Sequence, residues 1–114
     1  MKILNYTQHP ITILTQQGAI QVLRHGTVRS SVVRTLLEYI DVDGAAIPIN
    51  KTVFGAVPGL PEENKDTIII VSAIVENVMR LTGRQDLMVV DEPVREGGKI
   101  VGCRALCRIT EYMP

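Results

Sequence analysis

The sequence predicts an α+β fold in a single small domain: a mixed β-sheet of about six strands, two or three hairpins and one main helix over about 72–82. Three observations carry this expectation. Ile68-Ile69-Ile70-Val71 is a run of β-branched apolar residues, too short for an independent helix and without polar alternation, which suits a strand covered on both faces. Ser72 and Gly83 bracket a segment with one apolar stripe. The serine can accept from a free helical N–H, and the glycine can adopt the left-handed conformation that closes a helix. Leu87 to Val90 then reads as a second strand, able to pair parallel to the first through a right-handed crossover.

The remaining elements follow in chain order. Lys2 to Tyr6 reads as a strand broken by Thr7-Gln8-His9-Pro10, because proline removes a donor and pushes the preceding residue to an extended conformation. Ile11 to Thr15, a turn at Gln16-Gln17-Gly18 and Ala19 to Leu23 form a hairpin. The stretch 27–40 carries two signals at once: Val32, Val33, Leu36, Leu37 and Ile40 have helical spacing, whereas its β-branched residues favour a strand, and a strand from Val28 to about Thr35 is the expectation. Asp41-Val42-Asp43-Gly44 is a turn by composition, and Ile47 to Phe54 resumes an extended pattern. Gly55 to Asp66, with Pro58, Gly59 and Pro61, is a long irregular segment placed to close over a site beside the strand at Thr67. Asp91-Glu92-Pro93 is expected to stop the strand after the helix. A last hairpin turns at Glu96-Gly97-Gly98 and returns along Lys99 to Ile109, with Cys103, Cys107 and Ile109 on one face and Arg104 and Arg108 on the other.

Composition bounds the function. Lys plus Arg total 12 and Asp plus Glu total 12, so no global field draws a nucleic-acid polymer or an anionic membrane, and anion recognition must be local. No apolar run approaches the roughly 20 residues that span a bilayer, and no basic-then-apolar leader opens the chain, so a cytoplasmic location is expected. Cys103 and Cys107 on one strand lie about 13 Å apart, beyond the roughly 7 Å Cα limit of a bridge. Without Cys-x-x-Cys or His-x-x-x-His spacing no metal site is expected, and no cofactor motif is present. An edge strand or the helix face is available for a homo-oligomer.

The candidate ligand-binding residues are Asn5, Thr7, His9, Arg29, Ser72, Arg84, Asp86, Arg95 and Arg104. Ser72 stands where a helix N-terminus favours an anion, besides serving as a cap. Arg84 beside Asp86 is either a surface ion pair or a guanidinium oriented for bidentate contact with phosphate. Crossover geometry puts that pair at the opposite sheet end from Ser72. Arg29, Arg95, Arg104 and Arg108 are solvated residues or, where clustered, an anion site; pairing of Arg95 with Arg104 across the last hairpin would demand a compensating anion. Asn5, Thr7 and His9 share one side of the first strand by period two and serve either the turn or a ligand. A catalytic role for His9 as acid or base lacks a second histidine and a nucleophile beside it, so no catalytic residue is assigned.

Leu4-Asn5-Tyr6-Thr7-Gln8-His9, Gly59-Leu60-Pro61, Ile70-Val71-Ser72, Arg84-Gln85-Asp86, Val94-Arg95 and Gly98-Lys99-Ile100-Val101-Gly102-Cys103-Arg104 occur in this order. Together they resemble a family of small phage, prophage and bacterial proteins, over nearly the whole chain. Tyr6 stands where the family more often has leucine. The family has no settled activity, so the resemblance implies a setting rather than catalytic residues: a small soluble protein acting in the bacterial host cell upon a host process or defence signal. The combined expectation is a phage-type protein that binds and sequesters a small anionic, nucleotide-type ligand in anti-defence. The alternatives are an enzyme cleaving such a nucleotide with His9, and a regulator binding a host protein through 55–66.

Overall fold

The computed structural model describes residues 1–108; Ile109, expected on the cysteine face of the last strand, lies outside the described residues. The order of elements is β1 (Lys2–Asn5), β2 (Ile11–Thr15), β3 (Gly18–Val22), β4 (Val32–Val42), β5 (Ala45–Phe54), β6 (Thr67–Ile70), α1 (Ala73–Met79), β7 (Leu87–Glu96) and β8 (Lys99–Cys107), with a 3-10 turn at Arg80–Thr82 after the helix. Six strands form one sheet in the order β1-β6-β7-β8-β2-β3, while β4 and β5 form a separate antiparallel hairpin. The chain is α+β, mostly sheet with one short helix.

The strand–helix–strand unit forms for the reasons its residues suggest. Ser72 Oγ accepts from the Val75 N–H at 3.3 Å, and Gly83 closes the following turn at φ 75°. β6 pairs parallel with β1 on one side, Lys2 opposite Thr67 through Asn5 opposite Ile70, and with β7 on the other, Ile69 opposite Leu87. A strand flanked this way and covered by α1 needs apolar side chains on both faces, and Ile69, Ile70 and Val71 are all buried. Each contributes about 1.5–3 kcal/mol through burial. Ile69, Val71, Val75, Leu87 and Val28 make one aliphatic cluster; Ile13, Val22 and Cys103 make a second beneath β2, β3 and β8.

The sheet curls until its two edges approach. Asn5 at the end of β1 bridges Arg24, just past β3, in a parallel sense. β2 and β8 also approach closely: a Cβ on Gly102 would lie 2.9 Å from the Thr12 carbonyl oxygen, so only glycine fits there.

Several boundaries differ from expectation. Residues 28–31 are not strand: Val28 turns into the core, and β4 begins at Val32 and runs to Val42. The strand tendency of this stretch prevails over its helical spacing because β5 supplies a partner along almost its whole length. The turn narrows to Asp43–Gly44, both at positive φ, with Asp41 Oδ1 accepting from the Gly44 N–H at 2.9 Å. Asp91-Glu92-Pro93 does not stop β7, which continues to Glu96. Glu92 takes a φ of 51°, a local kink that carries the strand past the proline while pairing with β8 resumes at Pro93 opposite Cys103. Arg95 pairs with Ile100 and not with Arg104, because the strand lengths offset the two arginines along the ladder. Among the described residues no helix is long and apolar enough to cross a membrane.

Candidate functional site

Asn5 is the most constrained polar residue of the chain, with no solvent exposure. Its Nδ2 donates to the carbonyls of His9 at 2.8 Å and Val22 at 3.2 Å, and its Oδ1 accepts from the Thr7 N–H at 2.8 Å and lies 2.6 Å from the Thr7 hydroxyl. Its own carbonyl accepts from the His25 N–H at 2.8 Å. The side chain therefore ties β1 to the end of β3 and shapes the turn, and no polar atom of it is left over for a ligand. His9 takes part through its backbone carbonyl; its ring is exposed and has no hydrogen-bond partner among the described residues.

What Asn5 anchors is the segment Arg24 to Arg29. This segment leaves β3, crosses the end of β1 and lines a cleft of about 570 Å³ with Gln8 and Pro58. Gly26 lies against Tyr6, where a Cβ would come 3.1 Å from the ring, so the absence of a side chain lets the backbone pass close to the ring. Arg24 Nη2 donates to Thr27 Oγ1 at 2.8 Å, and that hydroxyl is 3.4 Å from the Thr7 carbonyl. From the other side the 55–66 segment contributes Pro58, while its Val57 and Leu60 pack on the core. The irregular segment thus forms one wall of the cleft.

Two arginines meet on this cleft. Arg24 and Arg29 both line it, and among the described residues neither has a carboxylate within ion-pairing distance. Two guanidinium groups sharing a cleft with Thr27 and Gln8 offer donors suited to phosphate or carboxylate oxygens. Ser72 stands at the same sheet end, just past the C-terminus of β6 next to β1, where Tyr6 N–H donates to the Ile70 carbonyl. It has a fixed duty there as the cap of α1.

The opposite sheet end holds the second basic group. Arg84 donates from Nε to Asp86 Oδ1 at 3.0 Å and from Nη2 to Oδ2 at 2.7 Å, a bidentate pair with both side chains largely withdrawn from solvent. The hydrogen bonds Arg84 donates to Asp86 hold the guanidinium pKa above its ordinary value. Glu63 Oε2 accepts from the neighbouring Gln85 N–H at 2.8 Å and adds a further negative charge. Arg84 is a partly satisfied structural arginine. Arg95 and Arg104 lie on the last hairpin, away from both groups. Cys103 and Cys107 are free thiols; burial pushes the Cys103 pKa up, so that thiol stays protonated and unreactive.

The structure therefore gathers Thr7 and Arg29 near one cleft with Asn5 supporting it, places Ser72 nearby, and puts Arg84 with Asp86 at the far end. Gln8, Arg24 and Thr27 were not foreseen. A usable signal exists: residues 1–37 contain Lys2, Arg24, Arg29 and Arg34 but no acidic residue, an asymmetry hidden by the zero net charge. Glu76 also escaped notice. It is buried on α1, with Arg80 Nη2 3.8 Å from its Oε2, an i,i+4 pair that steadies the helix. Comparison with protein-family models, curated proteins and solved structures gives no match to this chain.

Proposed function

We propose that the chain binds and sequesters a small anionic, nucleotide-type ligand in the cleft between Gln8, the Arg24–Arg29 segment and Pro58. The observation that carries this reading is the placement of Arg24 and Arg29 on one cleft with no carboxylate partner among the described residues. Two like charges held near each other by an anchored backbone are relieved by a bound anion. Phosphate oxygens accept from both guanidinium groups, Thr27 and Gln8 offer further hydrogen bonds, and Pro58 supplies an apolar surface for a base or sugar. Holding rather than cleaving is favoured by His9, whose exposed ring has no group to orient it. The resemblance to small phage proteins makes a host defence signal, met inside the bacterial cell, the first ligand class to test.

The protein is to be purified from bacteria with active nucleotide signalling, denatured, and the released small molecules identified by mass spectrometry. A phosphorylated small molecule released at close to one per site, unchanged in mass after prolonged incubation with the protein, is expected. Release of none, together with no thermal stabilisation by inorganic pyrophosphate, ATP or a cyclic dinucleotide, overturns the reading. Conversion of the ligand, abolished by His9→Ala with the fold retained, replaces sequestration by catalysis.

A further inference from the structure

We infer that the β4–β5 hairpin is a dimerisation arm that packs face to face, antiparallel, on the same hairpin of a second copy of this chain. The arm is physically incomplete as it stands. Of the large hydrophobic side chains left exposed among the described residues, ten belong to its two strands: Val32, Leu36, Tyr39 and Phe54 share one face, with Leu36 and Tyr39 at 50% and 64% exposure, Val33, Ile40, Val42, Ile47 and Val53 share the other, and Leu37 sits in the bulge. An isolated two-stranded hairpin is marginal in water without packing on one face, and an apolar patch of this extent marks an interaction surface. The dimensions agree. The radius of gyration is 18.1 Å against about 13 Å for a compact chain of this length. The accessible surface is 8392 Å², about 2,200 Å² above the compact-monomer expectation of roughly 6,200 Å². That excess exceeds the roughly 800 Å² that each partner buries in a standard interface.

The order of residues along the arm says what covers it. The ladder sets Arg34 beside Thr52, Leu36 beside Asn50, Tyr39 beside Pro48 and Asp41 beside Ala46, and the bulge between Leu36 and Glu38 shifts the parity of β4 so that all four of these β4 residues project from one face. Beyond the Val32–Phe54 row at its base, the β4 residues of that face read basic, apolar, apolar, acidic toward the tip. Turned end for end about a two-fold axis between the Leu36 and Tyr39 rows, the pattern is its own complement. Arg34 meets the partner's Asp41, Leu36 meets the partner's Tyr39, and each contact occurs twice. Within one chain Arg34 and Asp41 stand roughly 20 Å apart along the arm and cannot neutralise each other. The zero net charge of the chain leaves no overall repulsion between copies.

The inference is independent of the anion reading, and the full chain tests it by sedimentation or light scattering. Wild type is expected at twice its 12.6 kDa mass. Arg34→Asp and Asp41→Arg are each expected to raise the dimer Kd about 100-fold or more through like-charge contact, and the double exchange to restore it. Amide-exchange protection of the six-stranded sheet should be unchanged in all three, since these positions do not pack on it, while the arm itself loses protection only in the two single variants. A monomeric wild type at high micromolar concentration overturns the inference, as does a dimer indifferent to both single exchanges. Open-ended growth with concentration also overturns it, assigning the arm instead to the apolar depression of another copy beside Ile11, Val90 and Ile100.

Discussion

Arg84 and the pair Arg24 with Arg29 are the same chemistry in two settings at opposite ends of one sheet. Arg84 follows the helix in a short loop, meets Asp86 two residues later in a bidentate pair, and is largely withdrawn from solvent. Arg24 and Arg29 lie on an irregular segment pinned by Asn5, line an open cleft, and have no carboxylate partner among the described residues. A guanidinium already forked onto a carboxylate has little to offer a phosphate, and its removal is felt by the fold. One facing a cleft without an acid costs the fold little and leaves donors for a ligand. Motif reading alone leaves Arg84 and Arg29 side by side as candidates; partner accounting separates them.

The comparison can be broken where the expected effects are largest. Asp86→Ala leaves Arg84 without its partner in a mostly buried place and is expected to cost about 3 kcal/mol in chemical denaturation. A cost near zero would make the pair an ordinary surface one. Asn5→Ala strands the Val22 and His9 carbonyls and the Thr7 N–H, with an expected loss of about 2–3 kcal/mol. It should also weaken anion binding by loosening the Arg24–Arg29 segment; full affinity in the folded variant would separate the anchor from the cleft. The smallest effect concerns Cys103. Its folded pKa is raised, so the folded state keeps the proton, and the associated stability is complete below the unfolded thiol value of about 8.5 and falls as pH rises beyond it. Iodoacetamide should accordingly label Cys107 first and Cys103 only as fast as the chain opens.

The parts of the fold written in short-range chemistry were legible. Ser72, Gly83 and the run Ile68 to Val71 specify a cap, a stop and a covered strand, and the parallel pairing with Leu87 follows from crossover geometry. The arm was less legible, because Val32, Val33, Leu36, Leu37 and Ile40 supply apolar groups to both faces of a strand that its own chain leaves uncovered. Burial patterns assume a core within the same molecule, and here that assumption fails. At Glu92 a positive φ let the strand continue where Asp-Glu-Pro composition signalled an end. The cleft was partly legible: Arg29 was a candidate and Thr7 stands behind Thr27, but Arg24, Gln8 and Pro58 join Arg29 only through the near-closure of the sheet at Asn5.

Calorimetric titration of wild type, Arg24→Ala/Arg29→Ala and Arg84→Lys with a cyclic dinucleotide, ATP and inorganic pyrophosphate tests the central claim most directly. Binding of at least one of these anions to wild type, lost in the double variant while its stability stays within about 0.5 kcal/mol, and retained by Arg84→Lys, is the expected result. Binding that survives the double substitution but disappears with Arg84→Lys would contradict the account and return the site to the far end of the sheet.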